Sequence, residues 1–227
     1  MRLCESAGGR RRLLGAAVGV LALAVPALGT ASASAATINV TQACYVNANP
    51  LKGAPIAVAG SGFTPGDTIE IEGQGVFATT TASPTGQILV GTGGPILSTK
   101  GPAAQSFTLT ANDQTNPAGN PLAMTTVRMA NLSVATTPAV ARPTRKVTWH
   151  FSGFTPGKTI WVHYLHKRVV NRTSFGKAKG PCGMLSAKRK FYPGGHPHFA
   201  KYTVVIDQVK RYTKRARPRI VTTLSFF

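Results

Sequence analysis

The chain has 227 residues, with 26 Lys and Arg against 6 Asp and Glu, a formal net charge of +20. Only five acids, Asp67, Glu70, Glu72, Asp113 and Asp207, lie beyond the first 35 residues. They are too few and too scattered for the paired carboxylates of a glycosidase, and the basic surplus points to a negatively charged partner.

The N-terminus reads as a targeting segment. Arg10-Arg11-Arg12 precede an apolar stretch over residues 13–28 that is broken by Gly15, Gly19 and Pro26, and Ala31-Ser32-Ala33 and Ala33-Ser34-Ala35 offer small-x-small cleavage patterns. The run is short, contains a proline and lacks a basic stop-transfer flank, so residues 1–35 are expected to be a cleaved signal peptide, not an anchor. The mature chain is expected to carry no transmembrane segment and to be secreted, extracellular or cell-surface associated. About 190 residues remain, enough for two modules that each bury a core.

The most informative motif is a repeat. Ser61-Gly62-Phe63-Thr64-Pro65-Gly66 recurs 91 residues later as Ser152-Gly153-Phe154-Thr155-Pro156-Gly157. This spacing suits a β-sandwich module, not a solenoid unit. Before each copy lies an alternating strand, residues 56–60 and 147–151, and after each lies another, residues 69–72 and 160–163. Period two turns Ile56, Val58, Ile69 and Ile71 toward one core and Val147, Trp149, Ile160 and Val162 toward the other. Trp161 and His163 then lie on the opposite face, where the first repeat has Glu70 and Glu72. Pro65-Gly66 and Pro156-Gly157 suit the central positions of type II turns, with Phe63 and Phe154 plugging the sandwich beneath.

In the first module further strands are expected near residues 38–41, 75–80, 87–91, 105–111 and 125–134, with a loop over 112–121. In the second they are expected at 175–177, 184–190, 201–207 and 219–226, and residues 135–143 read as the linker. The fold class is therefore all-β: two tandem immunoglobulin-like β-sandwiches, 36–138 and 139–227.

Charge divides unequally between them. Residues 36–140 carry Lys52, Lys100 and Arg128 against four acids, a net −1, whereas residues 141–227 carry nineteen cations against Asp207, a net +18. The basic residues Lys188, Arg189, Lys190, Lys210, Arg211, Lys214, Arg215, Arg217 and Arg219, with Tyr192, Tyr202 and Tyr212 interleaved, are the candidate site for an anionic cell-wall polymer or acidic glycan. Sequence-specific nucleic-acid recognition is not expected, because no reading motif accompanies the charge.

Cys44 and Cys182 fall in different modules, and an exported chain with two cysteines pairs them most simply with each other. A linked dimer or free thiols are the alternatives. His163, His166, His196 and His198 are the residues a metal would use, but His163 and His166 are three apart on a strand and so point to opposite faces. Surface histidines in a basic protein are the plainer reading, and no metal or cofactor is expected. No nucleophile elbow, zinc-protease motif or phosphate loop is present, so no enzyme is expected.

The motif G-x-G-F-x-P-G before an alternating strand resembles the tandem immunoglobulin-like modules (of IPT/TIG or Big type) of exported proteins from high-GC Gram-positive bacteria. The resemblance implies spacers, adhesins or polysaccharide-binding units. The basic second module departs from the weakly acidic pattern of such modules. The leading expectation is therefore a secreted, non-catalytic envelope protein, with an unliganded spacer as the alternative and a secreted metal-binding protein or enzyme as the third.

Overall fold

The computed structural model describes residues 35–49, 51–97, 101–194, 197 and 200–226. The expected signal segment up to Ser34 lies outside the described residues, as do His196 and His198. The described residues belong to one compact unit, residues 34–227.

Among the described residues fifteen strands build it: β1 (Thr37–Val40), β2 (Tyr45–Asn47), β3 (Ile56–Ser61), β4 (Thr68–Gly73), β5 (Val76–Thr81), β6 (Ile88–Thr92), β7 (Ala104–Asp113), β8 (Ala123–Asn131), β9 (Ser133–Thr137), β10 (Lys146–Ser152), β11 (Thr159–His166), β12 (Arg168–Lys177), β13 (Leu185–Lys190), β14 (Ala200–Asp207) and β15 (Ile220–Phe226). Among the described residues the one helical element is a 3-10 turn at Pro117–Gly119.

The strands form two sandwiches. In the first, sheet β1-β3-β6 faces sheet β2-β8-β7-β4-β5, and in the second, β9-β10-β13 faces β12-β11-β14-β15. The orders superpose strand for strand, β3 on β10 and β4 on β11, with β2 alone lacking a counterpart. Each sandwich buries its own core, one around Ile56, Val58, Ile69 and Ile71, the other around Val147, Trp149, Ile160 and Val162. These are the residues that period-two alternation turned inward. In the second core, Tyr164 donates its phenol to the Phe191 carbonyl at 3.1 Å, and burial pushes its pKa above the usual phenol range.

The repeated hexapeptide is the corner between the two sheets of each sandwich. Gly66 has φ 86° and Asp67 N–H donates to Thr64 O at 3.2 Å; Gly157 has φ 78° and Lys158 N–H donates to Thr155 O at 3.4 Å. These are the type II turns expected from Pro-Gly. A collar of further bonds repeats as well. Phe63 N–H donates to Gly86 O and Phe154 N–H to Gly183 O, while Gly66 N–H donates to Ala82 O and Gly157 N–H to Ala178 O. Phe63 and Phe154 are buried beneath the corner. Gly86 and Gly183 have φ of 70° and 57°, and a Cβ on either would strike the carbonyl of Phe63 or Phe154.

Strand assignments differ from expectation at β2, for which no strand was expected, at the junction and at β12. Residues 125–134 were expected to form one strand and 135–143 a linker, but Ser133–Thr137 is β9, paired antiparallel with β10 in the second sandwich. The chain thus passes between sandwiches at Leu132, whose N–H donates back to Asn47 O at 2.9 Å. The crossing therefore lies before β9, and the expected linker of residues 135–143 is the end of β9 and a loop within the second sandwich; residues 123–137 carry no glycine or proline to mark the crossing. Strand β12 is also longer than the expected 175–177, starting at Arg168 after a turn at Lys167 (φ 61°).

Cys44 and Cys182 form a disulfide across the two sandwiches, with Cα atoms 5.2 Å apart and a sequence separation of 138. Around it, Ser152 Oγ donates to Asn131 O at 2.7 Å and lies 2.9 Å from Ser133 Oγ. The junction is therefore held at two covalent points, Leu132 and the disulfide.

Two outcomes test this architecture. Gly183→Ala and Gly86→Ala are expected to lose about 1–3 kcal/mol, since each combines a positive φ with a backbone collision. Gly157→Ala, with open space around its Cβ position, is expected to lose about 1 kcal/mol. Equal melting of Gly183→Ala and the parent chain would refute the collar. Separately, the Cys44→Ser/Cys182→Ser protein is expected to unfold about 4–5 kcal/mol more easily in denaturant, the loop-closure entropy of so long a ring.

Candidate functional site

The nine predicted cations do not form one cluster. Lys188, Arg189 and Lys190 are exposed on β13, paired with Thr148, Val147 and Lys146 at the start of β10. That is the end of the sandwich remote from the corner. Lys210, Arg211, Lys214, Arg215, Arg217 and Arg219 lie in the loop of residues 208–219, which joins β14 to β15 at the corner end, since Asp207 pairs with Trp161 near the start of β11.

This basic loop is tied down along its length. Gln208 accepts from Thr155 N–H at 2.9 Å and donates to Thr155 O at 2.8 Å and Lys158 O at 3.2 Å, pinning the loop to the corner. Val209 N–H donates to Asp207 Oδ1 at 2.9 Å. His163 Nε2 lies 3.3 Å from Asp207 Oδ1 and 3.2 Å from the Val209 carbonyl oxygen. Two acceptors around one ring nitrogen place the proton on Nε2. Arg172 of β12 donates to Lys210 O at 3.3 Å. The Tyr212 ring packs edge-on to His163 with centroids 5.8 Å apart, and the Arg219 guanidinium sits 5.9 Å from the Tyr212 ring centre.

The loop thus roofs the outer face of the β11–β14 pair. Val205, His163 and Asp207 face outward from the core, yet all are 0% exposed. Alternation placed His163 on the correct face and gave the wrong exposure, because the cover comes from a loop distant in sequence. Trp161, on the same face, is half-buried. His166 is exposed and lies against Tyr202, so the two histidines do not converge, and the described residues hold no group of three metal-ligating side chains.

The first sandwich shows what the roof replaces. There the equivalent diagonal pair is Glu72, exposed, and Asn112, half-buried, with Asn112 donating to Glu72. The second sandwich has His163 and Asp207 at these positions, buried. Asp207 is the only carboxylate of that half, and it is buried, with Oδ1 engaged by His163 and by Val209 N–H and Oδ2 left without a hydrogen-bond partner. Among the described residues the one ion pair is His163–Asp207, and no Lys or Arg meets a carboxylate. The loop cations are exposed except Arg219, which is half-buried. Arg172 and Lys158 join the loop's surroundings, and the sequence reading missed both because the length of β12 and the docking of Gln208 were not apparent.

No family model and no curated protein sequence matches the chain. Among solved structures it is similar to a Ca2+-stabilised, ice-binding adhesin of an Antarctic bacterium, at 18% identity and a TM-score of 0.33 over 85% of this chain and 48% of that one. It is also similar to a tetra-tandem repeat from the extending region of a large adhesion protein, at 16% identity and a TM-score of 0.29 over 83% and 47%. A Group B Streptococcus pullulanase is similar at 13% identity and a TM-score of 0.23, over 74% of this chain and 22% of that one. The chain spans about half the length of the two adhesin structures. At such distances it borrows neither ligand nor activity from any of them. Among the described residues no helix is long and apolar enough to cross a membrane.

Asp207→Ala removes the acceptor for Val209 N–H and His163. It is expected to cost about 1–3 kcal/mol and to open the roof locally. Trypsin should then cut within residues 210–219 several times faster than in the parent chain, with cutting at residues 188–190 unchanged. Equal rates at both places would mean that the latch does not hold the loop.

Proposed function

We propose that the chain is an exported, non-catalytic cell-envelope protein whose second sandwich binds an anionic surface polymer through the loop of residues 208–219. The observation that carries this reading is the use of Asp207. With that carboxylate buried against His163 and Val209, none of the surface cations of this half is neutralised from within. A dense, unpaired and anchored set of Arg and Lys suits phosphate or carboxylate groups repeated along a chain. The interdomain disulfide supports export, because such bonds persist in oxidising compartments. The five carboxylates beyond residue 35 support the non-catalytic part: Asp207 is buried, Glu70 and Glu72 lie on one sheet face, Asp67 belongs to the first corner turn, and Asp113 caps its own loop through Thr115 N–H and Asn116 N–H. The resemblance to immunoglobulin-like modules of exported high-GC Gram-positive proteins belongs to the same proposal.

The test is retention of residues 36–227 on purified cell walls across a salt series. The parent chain is expected to bind at low salt and to release steeply toward physiological salt, as counterion release requires. Reversing Lys210, Arg211, Lys214, Arg215 and Arg217 to Glu should abolish retention while shifting stability by less than about 1 kcal/mol. Reversing Lys188, Arg189 and Lys190, at the far end, should weaken it less. Absence of binding to any envelope fraction at low salt would leave the spacer reading instead.

A further inference from the structure

The two sandwiches enclose a groove of about 790 Å³ at their junction, within the size range of small-molecule sites. One wall is apolar, formed by Val46, Leu132, Pro156 and Pro181, with Val221 on the opposite strand. Beside Val221 stand Arg217 and Arg219, flanking Pro218. No carboxylate lines the groove. Here two arginines of the basic loop adjoin a concave apolar surface, whereas Lys210, Arg211, Lys214 and Arg215 stand exposed on the roof.

The groove is held open by covalent structure. Cys44 lines it, so the disulfide fixes one side, and Leu132, where the chain crosses between sandwiches, fixes another. Arg219 is positioned before any ligand arrives. Its guanidinium lies over Tyr212 and donates from NH1 to Lys214 O at 2.8 Å, while its buried Nε has no hydrogen-bond partner. Arg217 donates only to the Ala216 carbonyl, at 2.8 Å. One anchored guanidinium, Arg219, and one exposed guanidinium, Arg217, beside an apolar trough match a ligand with an anionic head and an apolar chain, in the way that pockets with few polar groups set orientation.

We infer that the junction groove is a binding site for a lipid-type anionic amphiphile, its phosphate or carboxylate head on Arg217 and Arg219 and its single apolar chain along Val46, Leu132 and Pro181. Charge complementarity selects the head, and the absence of any acid in the groove excludes a cationic one. The site uses two arginines of the polymer-binding loop but does not require that the loop bind polymer.

The experiment is calorimetric titration of purified residues 36–227, disulfide intact, at physiological salt. The probes are dodecyl phosphate below its micelle concentration, dodecyl maltoside and inorganic phosphate. Dodecyl phosphate is expected to bind one to one and about tenfold or more tighter than either other probe, since only it offers both the charge-assisted bonds and the apolar chain. Arg217→Gln/Arg219→Gln should reduce its affinity to that of dodecyl maltoside. Ala48→Trp, at an exposed position lining the groove, should block the chain and weaken binding about tenfold or more. It leaves every cation in place, so cell-wall retention should not change, and this separates failure of the groove from failure of the polymer reading. Equal binding of dodecyl phosphate and inorganic phosphate, or of dodecyl phosphate and dodecyl maltoside, would overturn the inference. So would unchanged dodecyl phosphate binding in Ala48→Trp with native near-ultraviolet dichroism.

Discussion

Each sandwich closes through a ring of backbone hydrogen bonds at its corner, and the side chains around that ring have little freedom. The buried phenylalanine sends its N–H to a glycine carbonyl, and the turn glycine sends its own to an alanine carbonyl. Both glycines in each ring sit at positive φ. The ring joins the two sheets, so it sets the angle at which β3 meets β4 and β10 meets β11, and through them which residues face each core. With this geometry met entirely by backbone atoms, the outward faces are free to diverge. The same diagonal position holds Glu72 with Asn112 in one sandwich and His163 with Asp207 in the other.

That divergence changes what lies above the sheet. A Glu–Asn pair is content in water and leaves the β4–β7 face open. A His–Asp pair tolerates burial better than either residue alone because Nε2 meets Oδ1, although His163 Nδ1 and Asp207 Oδ2 stay unpartnered, and it also offers a donor and an acceptor to the backbone of a passing loop. The loop brings an apolar contribution of its own, with Ala216 buried and Tyr212 against His163. The second sandwich thus carries a small secondary core on its outer face. Its cost is one carboxylate removed from a surface that has no other, which is why the basic charge of this half is uncompensated.

The sequence shows the features governed by local rules and hides those governed by long-range contact. Pro65-Gly66, Pro156-Gly157 and the alternation on either side are local, and strands, turns and inward residues follow from them. Gly86 and Gly183 complete the corners, but they sit outside the repeated hexapeptide, in loops of different length, and a repeat search does not align them. The three residues of β2 carry no pattern of their own, and a parallel partner, β8, some eighty residues away defines them. Residues 168–174 escape because an edge strand has no need to alternate, and Val169 and Val170 are both partly exposed. The candidate site was legible as charge but not as place. Composition marked both basic clusters, and only the register of β10 with β13 and β11 with β14 shows that they stand at opposite ends.

The disulfide also decides how the molecule would carry a mechanical load. A pull applied to the chain before Cys44 and after Cys182 passes through the sulfur–sulfur bond and bypasses the interval between them, a sequence separation of 138. That interval includes all of β2 to β12, and so the first sandwich apart from β1 together with both hexapeptide corners. Only β1 on one side and β13 to β15 on the other can be peeled away. At about 3.3–3.6 Å per extended residue, the bond withholds roughly 450–500 Å of contour from stretching. Reduction of a single bond would release that length, so under tension the molecule is a short tether with a long reserve locked behind one covalent clasp.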